Sequence, residues 1–100
     1  MDVFSALADP NRRNIIELLA VKGELSSTDI SDKFQISSPA ISQHLKVLKE
    51  ANLVQMEKRA QQHIYKVNPA AMDDLQKWLK KLTKNWEDRF AALDKILKTR

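Results

Sequence analysis

The chain of 100 residues contains no cysteine. That absence removes disulfides, thiolate metal sites, cysteine nucleophiles and thiol redox sensing together. Glycine occurs once and proline three times, so mostly helical structure with short connections is expected. No apolar run approaches the length of a membrane-spanning helix and no signal peptide opens the chain. A soluble cytoplasmic protein without a membrane partner is the expectation. The chain also lacks a glycine-rich phosphate loop, a metal triad, and any nucleophile with a base beside it. Ser42 and His44 are two residues apart, on different faces of any helix that holds them. No enzyme is expected.

What is present is globular in balance, 43% hydrophobic and 30% charged, and its length suits one domain with a limited core. The net charge of +4 is unevenly spread. Residues 1–36 carry four basic and six acidic groups, residues 37–66 five and two, and residues 67–100 eight and five. The positive balance begins near residue 37, and a basic surface suits a polyanion partner through counterion release.

It begins where Ile36-Ser-Ser-Pro-Ala-Ile-Ser-Gln-His-Leu-Lys-Val-Leu-Lys-Glu-Ala-Asn52 starts. Ser38 followed by Pro39 reads as an N-cap and first helical position, and Asn52 as a left-handed terminus. At 100° per residue Ile41, Leu45 and Leu48 share one side with His44 at its margin. Pro39, Ser42, Gln43, Lys46 and Glu50 lie opposite. Short hydrogen-bonding side chains on the first two turns are what a helix needs in a DNA major groove. An ordinary solvated amphipathic helix is the competing reading of this stretch.

Around it the chain divides into short elements. Residues 2–8 predict a short helix with Val3, Phe4 and Leu7 on one side. Asp9-Pro10 opens a second helix to about Val21, broadly buried through Ile15, Ile16, Leu18, Leu19 and Val21 and stopped by Gly23. Arg12 and Arg13 near its start read as surface ion-pairing groups with Glu17, or as groups that contact phosphate or orient the next helix. Glu24-Leu25 can pair briefly as strand. Ser26 or Ser27 caps a helix to about Phe34, and Gln35-Ile36-Ser37 turns into the central helix, a helix-turn-helix over 26–51.

After Asn52 the period changes to about two. Leu53–Arg59 and His63–Val67 predict a hairpin about Ala60-Gln61-Gln62, with Val54, Met56, Ile64, Tyr65 and Val67 as packing candidates. A hairpin after a recognition-type helix is a wing, spanning 53–67. Its tip carries Lys58, Arg59, Gln61, Gln62 and His63, able to reach phosphates or the minor groove, although hairpin tips are generally polar. From Pro69 a last helix of about thirty residues, roughly 45 Å, is longer than the domain can cover. Its stripe includes Leu75, Leu79, Leu82, Trp86, Phe90 and Leu93, and a second copy, with the N-terminal helix beside it, is the economical cover. Residues 1–8 and 69–98 are thus the expected dimerisation helices of a single domain over 1–100.

These elements in this order resemble the ArsR family of winged-helix repressors. The likeness is carried by Phe4-Ser-Ala-Leu-Ala-Asp-Pro-Asn-Arg12, Ile15 to Leu19, Glu24-Leu25 with Ile30, and Ser38 to Ala51. Trp86-Glu-Asp-Arg-Phe-Ala-Ala-Leu93 resembles a non-metal branch of that family. The resemblance implies a mostly α winged helix-turn-helix fold with about five helices and a small β-hairpin, dimeric through its terminal helices. It implies a homodimeric repressor on an operator of imperfect twofold symmetry. Ser38, Pro39, Ala40, Ser42, Gln43 and Lys46 take the DNA-facing positions, and Ser42 and Gln43 are the best base readers. His44 remains open between packing and DNA contact. Where the family's wing often offers Gly-Arg, this chain has Gln61-Gln62, leaving Lys58 and Arg59, with Gln62, as wing contacts.

Thiolate sensors of the family carry Glu-Leu-Cys-x-Cys where this chain reads Glu24-Leu-Ser-Ser-Thr28. Zinc-binding members use Asp and His on the terminal helix, and this one has no histidine there. No metal and no cofactor are expected. The expected partners are double-stranded DNA and a second copy, while a small-molecule inducer, a protein inducer and no inducer at all stay open. The alternative function is a protein-interaction module built on the same scaffold and its aromatic terminal helix.

Overall fold

The computed structural model describes residues 1–98. Five helices and three strands are found among them: α1 Val3–Leu7, α2 Pro10–Lys22, β1 Glu24–Ser26, α3 Ser27–Asp32, α4 Ser38–Glu50, β2 Val54–Arg59, β3 Gln62–Val67 and α5 Pro69–Lys98. No described helix is long and apolar enough to cross a membrane. Residues Met1–Pro69 form one compact unit, and the chain from Ala70 forms another.

Local chemistry sets the helix ends of the first unit. Asp2 caps α1 by accepting the Ser5 N–H at 2.7 Å, and that bond holds its carboxyl below the usual range. Asp9 caps α2 by accepting from Asn11 N at 2.8 Å and Arg12 N at 3.2 Å, with Pro10 as the first helical residue. Gly23 ends α2 at φ 88°, its N–H donating to Leu19 O at 2.8 Å. Only Ile15 and Leu19 of α2 are fully buried. Ile16 and Leu18 are half-buried, and Val21, expected inside, is 81% exposed. Val21 follows Leu19 by two residues, roughly 200° around the helix, and so faces away from the core.

The helix-turn-helix differs from expectation at its boundaries. Ser26 caps α3, accepting from Asp29 N at 3.1 Å, and α3 ends at Asp32, before Phe34. The connection therefore spans residues 33–37, longer than the three-residue turn expected. Ser37, not Ser38, caps α4 by accepting from Ala40 N at 3.2 Å, which moves Ser38 and Pro39 one position into the helix. The helix stops at Glu50 with Ala51 as C-cap, two residues short of Asn52. Asn52 is left-handed at φ 61°, as its sequence position suggested. Asn52 N donates to Lys49 O and Leu53 N to Leu48 O, each at 3.0 Å, the paired bonds of a Schellman end.

The expected hairpin is part of a three-stranded antiparallel sheet in the order β1-β3-β2. Glu24, Leu25 and Ser26 pair with Lys66, Tyr65 and Ile64, so the brief strand at Glu24 becomes a sheet edge. Arg59 pairs with Gln62, which leaves a two-residue turn, Ala60-Gln61, with Ala60 at φ 54°. The turn excludes Gln62, which belongs to β3. One sheet face presents Val54, Val67, Met56, Tyr65 and Leu25 in register. With α2 packed on β3 and α4 on β2, Val54 and Tyr65 join Ile15, Leu19, Ile30, Ile41, Leu45, Leu48 and Leu53 in the core.

Helix α5 is a single run of thirty residues with none buried. Ion pairs Asp73–Lys77 and Asp94–Lys98 brace its polar surface one turn apart. Thr83 Oγ1 donates to Leu79 O at 2.9 Å. The Trp86 and Phe90 rings sit 4.9 Å apart at 49° and are 65% and 53% exposed.

Candidate nucleic-acid interface

Helix α4 turns two unlike faces to its surroundings. Ile41, Leu45 and Leu48 are buried, as their spacing predicts, while Ser38, Pro39, Ser42, Gln43 and Lys46 are exposed and Ala40 is half-buried. The exposed set occupies the first turns, where unpaired backbone N–H groups give the helix its positive end. Proline inside the first turn removes a donor that would have been unsatisfied anyway. Ser38 Oγ and Ser31 Oγ share a hydrogen bond of 2.8 Å, which ties the start of α4 to α3 across the long turn. A shallow hollow lies beside that tie, lined by Ser27, Thr28, Asp32 and Ser42 among others.

His44 is half-buried on the flank of α4, and its Nδ1 lies 3.4 Å from Arg12 Nη1. A guanidinium only donates, so Nδ1 accepts and the imidazole proton sits on Nε2 in this arrangement. The rest of the Arg12 fork faces α1: Nε donates to Ala6 O at 2.6 Å and Nη2 to Ser5 O at 3.2 Å. Arg13 Nη1 donates to Leu7 O at 2.7 Å and Ala8 O at 3.0 Å. Both arginines thus close the carbonyl end of α1. Neither forms an ion pair with Glu17 among the described residues, which corrects that reading. Asp9 lies under the same cluster. Burial works against its charge, but the amides of Arg12 and Asn11, and beyond them the Arg12 guanidinium, hold its carboxyl below the usual range.

The wing divides its polar residues by strand alternation. Lys58 pairs with His63 on the face that carries Met56 and Tyr65, whereas Arg59 pairs with Gln62 on the opposite face. Arg59 Nη2 donates to Glu24 Oε2 at 2.8 Å and Glu57 Oε2 at 3.0 Å. Its hydrogen bond lowers the Glu57 carboxyl, and Glu57 and Glu24 raise the guanidinium in return. Arg59, expected as a DNA contact, is thus engaged with two carboxylates of its own sheet. Lys58, Gln61, Gln62 and His63 are exposed.

Three of these contacts escaped the sequence reading. Arg12 and His44 are 32 residues apart and Arg59 and Glu24 are 35, so nothing local announces either pair. Glu57 did carry a signal, because residues two apart on a strand share a face.

The exposed polar start of α4, a short helix before it and a basic sheet tip after it have clear counterparts among known proteins. The model of the bacterial regulatory protein arsR family matches residues 9–56. The transcriptional repressor SdpR of Bacillus subtilis is 37% identical over 78 residues, which are 78% of this chain and 86% of that one. The chain belongs to the ArsR family. It is a DNA-binding transcriptional repressor by that membership, not an enzyme. An arsenical resistance operon repressor of Staphylococcus aureus is 37% identical over 73% of this ArsR-family chain and 69% of its own. Among solved structures, an ArsR-like transcriptional regulator from Rhodococcus superposes with a TM-score of 0.79 at 28% identity, covering 94% of this chain and 88% of that one. A homodimeric winged helix-turn-helix DNA-binding domain from Mycobacterium bovis shares the fold, with a TM-score of 0.67 at 24% identity over 82% of this chain and 75% of that one.

Proposed function

We propose that this repressor acts as a homodimer on a pseudo-palindromic operator, with the first two turns of α4 from each protomer in successive major grooves. The observation that carries the reading is the exposed, short-chained polar face of α4 directly over its buried Ile41, Leu45 and Leu48. Ser42 and Gln43 read base edges, since a glutamine matches the donor and acceptor of adenine and a serine suits several bases. Ser38, Pro39 and Ala40 let the helix end approach closely, and Lys46 meets phosphate. On the wing, Lys58 is the phosphate contact. Arg59 is held by Glu24 and Glu57 and braces the sheet, with Gln62 beside it.

The exposed stripe of α5, Leu79, Leu82, Trp86, Phe90 and Leu93, continued by Leu75, is the surface for a second copy, and Val3, Phe4 and Leu7 of α1 are further contacts of that copy. The M. bovis neighbour, described as homodimeric, supports this reading. Release from DNA uses no regulatory metal. The chain has no cysteine, and its two histidines, His44 and His63, lie outside α5, whose carboxylates alone select zinc poorly. Stoichiometric tight zinc on the purified protein would overturn the metal-free reading.

The test is selection of bound duplexes from a random pool at moderate salt. A consensus with twofold symmetry and half-sites about one helical turn apart is expected. In that consensus Gln43→Ala costs about 1–3 kcal/mol and relaxes one position. Bound duplexes with no shared sequence, or an asymmetric single site, would overturn it.

A further inference from the structure

Arg12 joins three elements with one planar group. Its backbone lies in the first turn of α2, its Nε and Nη2 close the carbonyl end of α1 at Ala6 and Ser5, and its Nη1 reaches His44 on the flank of α4. Asp9 fixes the start of the same turn through the Arg12 and Asn11 amides. His44 sits between the buried face of α4 and its exposed one, one residue after Gln43. Its backbone lies on the same turn of α4 as Ser42 and Gln43.

We infer that Arg12 is a positioning residue for DNA binding, acting through His44 to register the recognition helix against α1. The inference rests on α4 meeting DNA and adds a role that the sequence alone divided among ion pairing, phosphate contact and orientation. The chemistry requires a fork. Three donors in one plane satisfy two carbonyls and one imidazole nitrogen together, a task a lysine ammonium cannot perform from one point. The imidazole must offer an acceptor at Nδ1, which fixes the Nε2–H tautomer. Because α1 also carries Val3 and Phe4, the clasp ties the helix proposed to meet a second copy to the helix proposed to meet DNA.

The test is a double-mutant cycle on a labelled duplex carrying the selected consensus, with the full chain at a temperature where every variant is folded by circular dichroism. Arg12→Ala and His44→Leu are each expected to weaken binding about tenfold, and the double variant no more than either alone, since the two residues act as one unit. Arg12→Lys keeps the charge but is not expected to restore affinity, whereas His44→Gln, which keeps an acceptor, restores part of it. In free protein, long-range proton–nitrogen NMR of the His44 ring should show the Nε2–H tautomer and lose that preference in Arg12→Ala. Multiplying losses in the double variant would overturn the inference, because independent contacts add in free energy. Full rescue by Arg12→Lys would overturn it too, because a bare phosphate contact needs only charge. Gln43→Ala in the same assay keeps the readings apart: a silent Gln43→Ala strikes the groove assignment, while additive Arg12 and His44 strike only the clasp.

Discussion

Among the described residues, two other than glycine hold left-handed backbone, Asn52 at φ 61° and Ala60 at φ 54°, and they do so with different fitness. Asparagine tolerates this region and here closes the Schellman end of α4, whereas alanine has a Cβ that crowds its carbonyl there. Asn52→Ala should therefore lose about 1 kcal/mol of stability, and Ala60→Gly should gain up to about 1 kcal/mol, in urea unfolding. A loss on Ala60→Gly would mean that the turn relaxes when the strain is removed. Asp9 makes a third case at this scale. Its carboxyl is lowered in the folded chain, so its stabilisation is full above the unfolded carboxyl value and disappears as pH falls through the folded one. Asp9→Ala should cost about 1 kcal/mol near neutrality through the lost cap, and the gap from wild type should close on acidification. A gap independent of pH would assign the loss to something other than the ionised cap.

At the scale of elements, the wing gives a comparison that separates charge from contact. Lys58 and Arg59 are adjacent cations, yet alternation places them on opposite sheet faces and Glu24 and Glu57 engage only Arg59. Lys58→Ala should weaken binding to all duplexes alike and flatten the dependence of log affinity on log salt by about one unit, while Arg59→Ala leaves the slope close to wild type. Equal slope changes would return Arg59 to the DNA. The same comparison marks how far sequence carries. The buried spacing of Ile41, Leu45 and Leu48 and the left-handed Asn52 were legible because each is a local property of one element. Ser37 as the α4 cap was missed because Ser37 and Ser38 are both competent and only the chain path selects one. The carboxylate-paired Arg59, the half-buried His44 and the exposed Val21 depend on partners or faces set by packing, which no local period encodes.

At the scale of the molecule, α5 poses the largest imbalance between composition and burial. Its thirty residues carry two tryptophans, a phenylalanine and five leucines, and none of them is buried. Exposed apolar area on that scale is rare on a stable lone protomer and marks a surface for another chain. Because Trp86 is 65% exposed and belongs to the unit that begins at Ala70, replacing it should leave the unit Met1–Pro69 folded. Trp86→Arg places a charge in the centre of the proposed seam, where desolvation without a partner is costly. Sedimentation velocity should then give the protomer mass in place of twice that mass, with helix content by circular dichroism nearly unchanged. Linking two half-sites through one dimer raises avidity by about a hundredfold or more without any new contact. The variant should therefore bind the full symmetric duplex no better than an isolated half-site, although Gln43 and Lys46 are untouched. A Trp86→Arg protein that still sediments at twice the protomer mass would move the dimer contact off this face of α5, and with it the spacing of the two recognition helices.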